Sequence, residues 1–241
     1  MVLARSAAMA FNRWADANYD KLNPRTANRE IPAGIISSSN AIIFVITCCI
    51  LFISVCYWIN PVCFYLSPVA LITVLGYSFT KRWTSLCHLI LGAGLSLAPI
   101  GAYLAVTGKF SIIPLIFSGI VFYWVAGFDI IYALQDEEFD RSLSLHSIPA
   151  WLGKPRALVV SRVFHGITAG LMIWVSYLML MRYSSLGMLC WVGAIIFIGL
   201  LFYQQRLVKP NDLSKVNLAF FTTNGIASVA FGIILTIDLL S

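Results

Sequence analysis

Apolar residues run almost without interruption through seven stretches of this chain, roughly 40–58, 62–79, 86–107, 112–134, 158–181, 186–203 and 216–238. A bilayer-spanning helix needs about 20 mostly apolar residues, because each advances ~1.5 Å through a hydrocarbon core of ~30 Å. The stretches are too long and too continuous to be the alternating strands of an outer-membrane barrel. The pattern predicts an all-α, multi-spanning transmembrane helix bundle in a single domain, 1–241. Residues 1–11, MVLARSAAMAF, are apolar but too few to cross, and they lack the h-region and cleavage site of a signal peptide. They read as half a helix: either the chain begins inside a spanning segment whose upstream part is missing, the expectation adopted here, or the segment lies at the interface.

The polar residues between the spans set the orientation. Segments 12–39, 80–85, 137–162 and 204–215 hold thirteen of the sixteen Lys and Arg, whereas the alternate loops hold only Lys109 and Arg182. Basic residues in short loops stay on the cytoplasmic side, so one end of the bundle is expected to face the cytoplasm, in a bacterial inner membrane. A composition of 60% hydrophobic and 11% charged residues excludes an ordinary soluble domain. The net charge of +6 then reads as orientation and attraction to anionic membrane lipid, with no nucleic-acid partner. The six cysteines sit in or beside spans with no CxxC spacing and read as packing residues. His88, His146 and His165 show no ligand spacing and read as structural.

Seven of the ten acidic residues fall into two short clusters. The first, Asn12, Asp16 and Asp20, is an i, i+4, i+8 series; each step of four drifts only ~40°, so the three share one helix stripe. The second, Asp129, Tyr132, Asp136 and Asp140, stays within an arc of about 80° on the same arithmetic. Like charges at i, i+4 repel, and ionisable groups at membrane depth mark functional sites. A divalent cation offsets the repulsion, and hard carboxylate and amide oxygens suit Mg²⁺, which completes its shell with waters and substrate phosphates. The bland alternative is a pair of solvated helix ends salt-bridged to nearby Arg and Lys. The loop after the first stripe supplies Arg25 and Arg29, which can hold phosphate bidentately. Another loop at the same end supplies Tyr77, Lys81 and Arg82.

The series NxxxDxxxD with RTANRxIP, then YSFTKR, then DxxYxxxDxxxD with SIPAxLG, resembles the UbiA superfamily of intramembrane prenyltransferases, from about residue 5 to the C-terminus and in the family's order. It is most similar to the 4-hydroxybenzoate polyprenyltransferase branch and its menaquinone-pathway relatives. It departs at Arg13, where many members carry Asp, and in showing seven spans and a fragment where members have nine, as though the first helix and the start of the second were absent. The resemblance implies that Asp16, Asp20, Asp136 and Asp140 bind Mg²⁺ bridging the diphosphate of a polyprenyl donor, with Asn12 and Asp129 completing or orienting the shell. It implies that Arg25, Arg29, Lys81 and Arg82 neutralise the departing diphosphate. The ring of a small aromatic carboxylate then attacks the allylic cation, either a hydroxybenzoate in quinone biosynthesis or a dihydroxynaphthoate in menaquinone biosynthesis. Tyr132 either stabilises the cation through its ring or hydrogen-bonds the diphosphate.

Three further expectations accompany this reading. Phe117, Phe122, Tyr123, Trp124 and Phe128 either line a groove for the hydrocarbon tail or are ordinary packing aromatics. Asn217 and Asn224, seven residues apart, share a face of the last span as helix glue or acceptor contacts. A membrane transporter with an acidic cation site would show internal repeats, and a CDP-alcohol phosphatidyltransferase would carry a DG-xx-AR element; neither feature is present.

Overall fold

Span lengths set by the bilayer reappear closely in the computed structural model, which describes all 241 residues. Helices α1 (Val2–Ala15) and α2 (Ala17–Leu22) precede a loop over 23–37. The antiparallel helices α3 (Ser38–Ile59), α4 (Pro61–Thr80), α5 (Cys87–Thr107) and α6 (Ile112–Ala133) come next. A 3-10 turn, Leu134–Asp136, joins α6 to α7 (Glu137–Ser142), and α8 (Ile148–Leu152) leads into α9 (Lys154–Arg182) and α10 (Met188–Leu207). A π-helical turn, Leu218–Thr223, opens the last helix, α11 (Asn224–Leu240). Seven of these segments are long and apolar enough to cross a membrane.

The helix ends show why the chain turns where it does. The Ser37 hydroxyl accepts from the Asn40 amide and starts α3. Asn60 accepts from the Cys63 amide at the start of α4 and donates to the Leu104 carbonyl, fastening the α3–α4 hairpin to α5. Gly108 ends α5 at φ +64°, a conformation that only glycine takes without strain. The start of α10 is capped from another helix. Asp238 on α11 is buried and accepts from the Gly187 and Cys190 amides at 3.1 and 2.7 Å, a carboxylate against the positive end of a helix dipole.

Large apolar side chains such as Ile43, Trp58, Ile72 and Ile195 remain on the outside, where lipid is the solvent. Helix α6 lies at the centre, packed between α5 and α9, and carries more buried residues than any other element. Without a hydrophobic force between helices in lipid, close packing depends on small residues. At Gly92 on α5 an added Cβ would meet the Phe122 carbonyl of α6 at 2.5 Å, and at Gly127 on α6 it would strike the His165 ring of α9. The N-terminal half helix packs too. Ala7 is fully buried against Val45 and Cys48, and Phe11 meets Phe79 edge-on at 5.4 Å, so α1 is part of the bundle rather than an interfacial strap.

These contacts predict opposite outcomes for two glycines on one helix. Gly92→Ala forces α5 from α6 and is expected to cost about 1–3 kcal/mol, seen as a lower melting temperature in detergent. Gly101→Ala, with nothing within 4 Å of its new methyl, is expected to leave the melting temperature unchanged or raise it. Equal melting temperatures for Gly92→Ala and the parent chain would refute the close α5–α6 contact.

Candidate active site

At the end of the bundle rich in Lys and Arg, a cavity of about 310 Å³ opens between α1, α2, the 23–37 loop, the ends of α4 and α5, α6 and the π-turn. Both predicted stripes and both basic segments converge on it. Asn12, Asp16, Asp20, Arg25, Arg29, Tyr77, Lys81, Arg82, Asp129, Tyr132 and Asp136 all line it.

The first stripe survives a break in its helix. Asp16 ends α1 and begins α2, yet the Asp16 amide still bonds the Asn12 carbonyl and the Asp20 amide the Asp16 carbonyl. Asn12 Nδ2 also donates to Asp16 Oδ2 at 3.0 Å. The second stripe does not survive whole. The 3-10 turn winds about 120° per residue rather than 100°, which over three residues rotates the downstream chain by about 60°. Asp140, expected at the metal, is instead fully buried beside the cavity, where it takes a 2.6 Å contact from Lys81 Nζ and a hydrogen bond from Ser147.

Each carboxylate is matched to a cation from a different segment. Arg25 donates through Nε and Nη2 to the two oxygens of Asp136 at 3.1 and 2.5 Å, and Asn23 adds a bond to the same carboxylate. Arg29 bonds both oxygens of Asp20 at 2.8 Å. Lys81 pairs with Asp140, and Arg82 lies 3.8 Å from Asp16 while donating to the Ala15 carbonyl. Burial works against the charge on Lys81, but Asp140 outweighs it and raises the lysine above its usual range. Asp16 has the loosest partner. Burial first, and repulsion from Asp20 next, push its carboxyl up to about 6.

Deeper in the membrane the pairing changes. Asp129 contacts His88 Nδ1 at 2.6 Å, and the other ring nitrogen accepts from the Ile148 amide at 3.3 Å. The sequence reading treated His88 as structural. It lines the cavity instead, and only the contact of α5 with α6 makes it a partner of Asp129, which no spacing along the chain records. Asn23, Tyr19 and Phe220 also line the cavity unanticipated. The aromatics Phe117, Phe122, Tyr123, Trp124 and Phe128 do not line it. Trp124 and Phe128 pack on each other and on Phe197 and Phe220, and Phe117 borders a second, apolar cavity of about 390 Å³ near Tyr103 and Met179.

No three of the Asp, Glu, His and Cys side chains converge closely enough to hold a metal by themselves, because each acid is drawn to its cation. The donor set nevertheless fits Mg²⁺ in kind. That ion usually takes only one or two carboxylates and fills its shell with water and phosphate oxygens, and Asn12, Asp16, Asp20 and Asp136 offer hard oxygens to one space. Burial first and Asp20 second raise the proton affinity of Asp16 despite the nearby Arg82, Lys81 and Arg29, and a bound cation would lower it.

With this geometry in view, residues 1–226 match the UbiA prenyltransferase family. A 4-hydroxybenzoate octaprenyltransferase of Tolumonas auensis is 29% identical over 229 residues, 94% of this chain and 77% of that one. The apo structure of a UbiA homologue from Aeropyrum pernix superposes with a TM-score of 0.88 at 32% identity, covering 99% of this chain and 86% of that chain. A UbiA homologue from Archaeoglobus fulgidus bound to GPP and Mg²⁺ shares the fold, with a TM-score of 0.70 at 20% identity and 100% and 87% coverage. This chain belongs to the UbiA prenyltransferase family and is an integral membrane transferase.

Proposed function

We propose that the chain transfers a polyprenyl group from its diphosphate to a small aromatic carboxylate of the 4-hydroxybenzoate type, in quinone biosynthesis. The observation that carries this reading is the set of acid–cation pairs around one cavity, since the same side chains serve a metal and a diphosphate once they part. The name of the Tolumonas relative supports the acceptor. The concentration of basic residues at the cavity's end supports a bacterial cell membrane with the site facing the cytoplasm.

Asp16, Asp20 and Asp136 hold Mg²⁺, with Asn12 orienting Asp16. Asp140 is assigned to Lys81, whose ammonium it fixes at the cavity wall. Arg25 and Arg29, released from Asp136 and Asp20, clamp the diphosphate, and Lys81 and Arg82 hold its other oxygens. When bound, the metal neutralises charge developing on the leaving diphosphate. The allylic C–O bond breaks with its electron pair departing on the diphosphate. An acceptor ring carbon forms the new C–C bond, and the displaced ring proton passes to a diphosphate oxygen. The tail, being hydrocarbon, stays in lipid, and the cavity walls keep water from the cation.

The test is prenyl transfer in liposomes with radiolabelled polyprenyl diphosphate and either 4-hydroxybenzoate or dihydroxynaphthoate. Asp16→Ala and Asp136→Ala are each expected to lower turnover at least about a hundredfold while eluting as folded protein; activity within twofold of the parent would remove them from the site. Metal and diphosphate are expected to bind cooperatively, because each relieves charge the other exposes. In calorimetry Mg²⁺ should bind at least about tenfold more tightly with a non-hydrolysable prenyl diphosphate present, and equal affinities with and without it would contradict the exchange of partners. Protons compete for Asp16 below its value of about 6. The Mg²⁺ concentration for half-maximal turnover should therefore rise as pH falls from about 7 to 5, and a flat profile would show that Asp16 is not a ligand.

A further inference from the structure

Tyr132 is claimed on two sides. Its hydroxyl accepts from Arg25 Nη1 at 2.7 Å, with the guanidinium carbon 5.0 Å from the ring centre, and its ring stacks on Phe220 at 4.2 Å with planes 29° apart. Tyr19, another cavity aromatic, carries the Arg82 guanidinium 5.3 Å from its ring centre. Both tyrosines thus stand with the cations that serve the diphosphate. Phe220 lines the same cavity without a cation on its ring. It packs between Tyr132 and Phe128, 5.2 Å from the latter, which sets it about one turn deeper in the membrane than Asp136.

The placement of Phe220 is built. In a regular α-helix Phe220 and Phe221 would diverge by ~100°. In the π-turn both rings meet Tyr132, Phe221 at 6.0 Å and edge-on. A π-turn leaves carbonyls without their α-helical partners, and here two side-chain amides take them. Gln204 on α10, fully buried, donates to the Ala219 carbonyl at 2.7 Å, and Asn224 donates to the Phe220 carbonyl at 2.8 Å. Asn224 in turn accepts from Gln204 and from the Trp124 indole, each at 3.1 Å. Three helices therefore contribute two amides and an indole to holding one irregular turn.

We infer that Phe220, held by the Gln204–Asn224–Trp124 clamp, presents the aromatic surface that stabilises the allylic cation, while Tyr132 serves the diphosphate through its hydroxyl. This rests on the reading of the site as one that ionises a prenyl diphosphate. A positive carbon next to a site crowded with guanidinium groups needs a neutral, electron-rich neighbour, and a desolvated cation–π contact supplies one. Phe220 takes part in no bond and no proton transfer. Gln204, Asn224 and Trp124 are positioning residues that act through it.

The experiment replaces Phe220 by mono-, di- and trifluorinated phenylalanine, which keep the ring's shape and drain its face of electron density. Single-turnover diphosphate release is expected to fall stepwise, roughly ten- to thirtyfold across the series, with KM for the donor within about twofold and the melting temperature unchanged. Gln204→Leu is expected to lower the rate and to flatten the fluorination slope, because the ring is no longer held over the reacting carbon. A flat series at Phe220 in an active protein, or a slope found on fluorinated phenylalanine at position 132 instead, overturns the assignment. A parent chain that releases no diphosphate from any polyprenyl diphosphate overturns the prenyl-transfer reading and the assignment with it.

Discussion

The pairing of carboxylates with cations around the cavity is the constraint on which the rest of this end of the molecule depends. An unpaired carboxylate at the edge of a membrane is costly, so each acid must find a cation, and none of these four finds it on its own helix. Arg25 ties the 23–37 loop to the end of α6, Arg29 ties that loop to α2, Lys81 ties α4 to α7, and Arg82 ties α4 to α1. The loops are ordered by the charges that line the cavity. Partly buried pairs of this kind gain little net stability over apolar packing.

Helix α6 carries the consequences inward, and its two sides do different work. On one side Asp129 meets His88 of α5 within the cavity. On the other, the bare backbone at Gly127 admits His165 of α9, and the Gly127 carbonyl accepts from Ser161, which joins Gln205 and His165 in a network sealed from the cavity. Polar groups in lipid must be satisfied internally. The histidines look alike in composition, yet one is joined to a cavity carboxylate and the other is set against a helix backbone.

What could be read from the sequence was whatever a local period controls. Bilayer thickness sets span length, so the helix boundaries differ from the reading by only a few residues. The 3.6-residue repeat places Asn12, Asp16 and Asp20 together, and likewise Asp129, Tyr132 and Asp136. The failures occur where that repeat is interrupted. The 3-10 turn at Leu134–Asp136 takes Asp140 off the cavity lining and onto Lys81. The π-turn at Leu218–Thr223 undoes the seven-residue match of Asn217 and Asn224, leaving Asn217 exposed while Asn224 holds the turn. His88 failed for another reason: its role arises from packing between helices, and no intrahelical spacing encodes it.

Those interruptions both lie at the cavity, which Asp136 and Phe220 line. A continuous helix would have put Asp140 in the cavity, adding a further carboxylate and leaving Lys81 without its anchor. A continuous last helix would have left Asn217 and Asn224 on one face, whereas the π-turn frees Asn224 to hold the turn that carries Phe220. The charges then dictate the order of events. While the acids hold the arginines, the cavity is neutralised and has neither a full metal shell nor free guanidinium groups. On the proposed reading, only a metal and a diphosphate arriving together would satisfy both halves of every parted pair. On the proposed reading, ionisation would thereby be confined to a cavity that already holds its leaving group, with the reacting carbon beside the ring of Phe220 rather than among arginines.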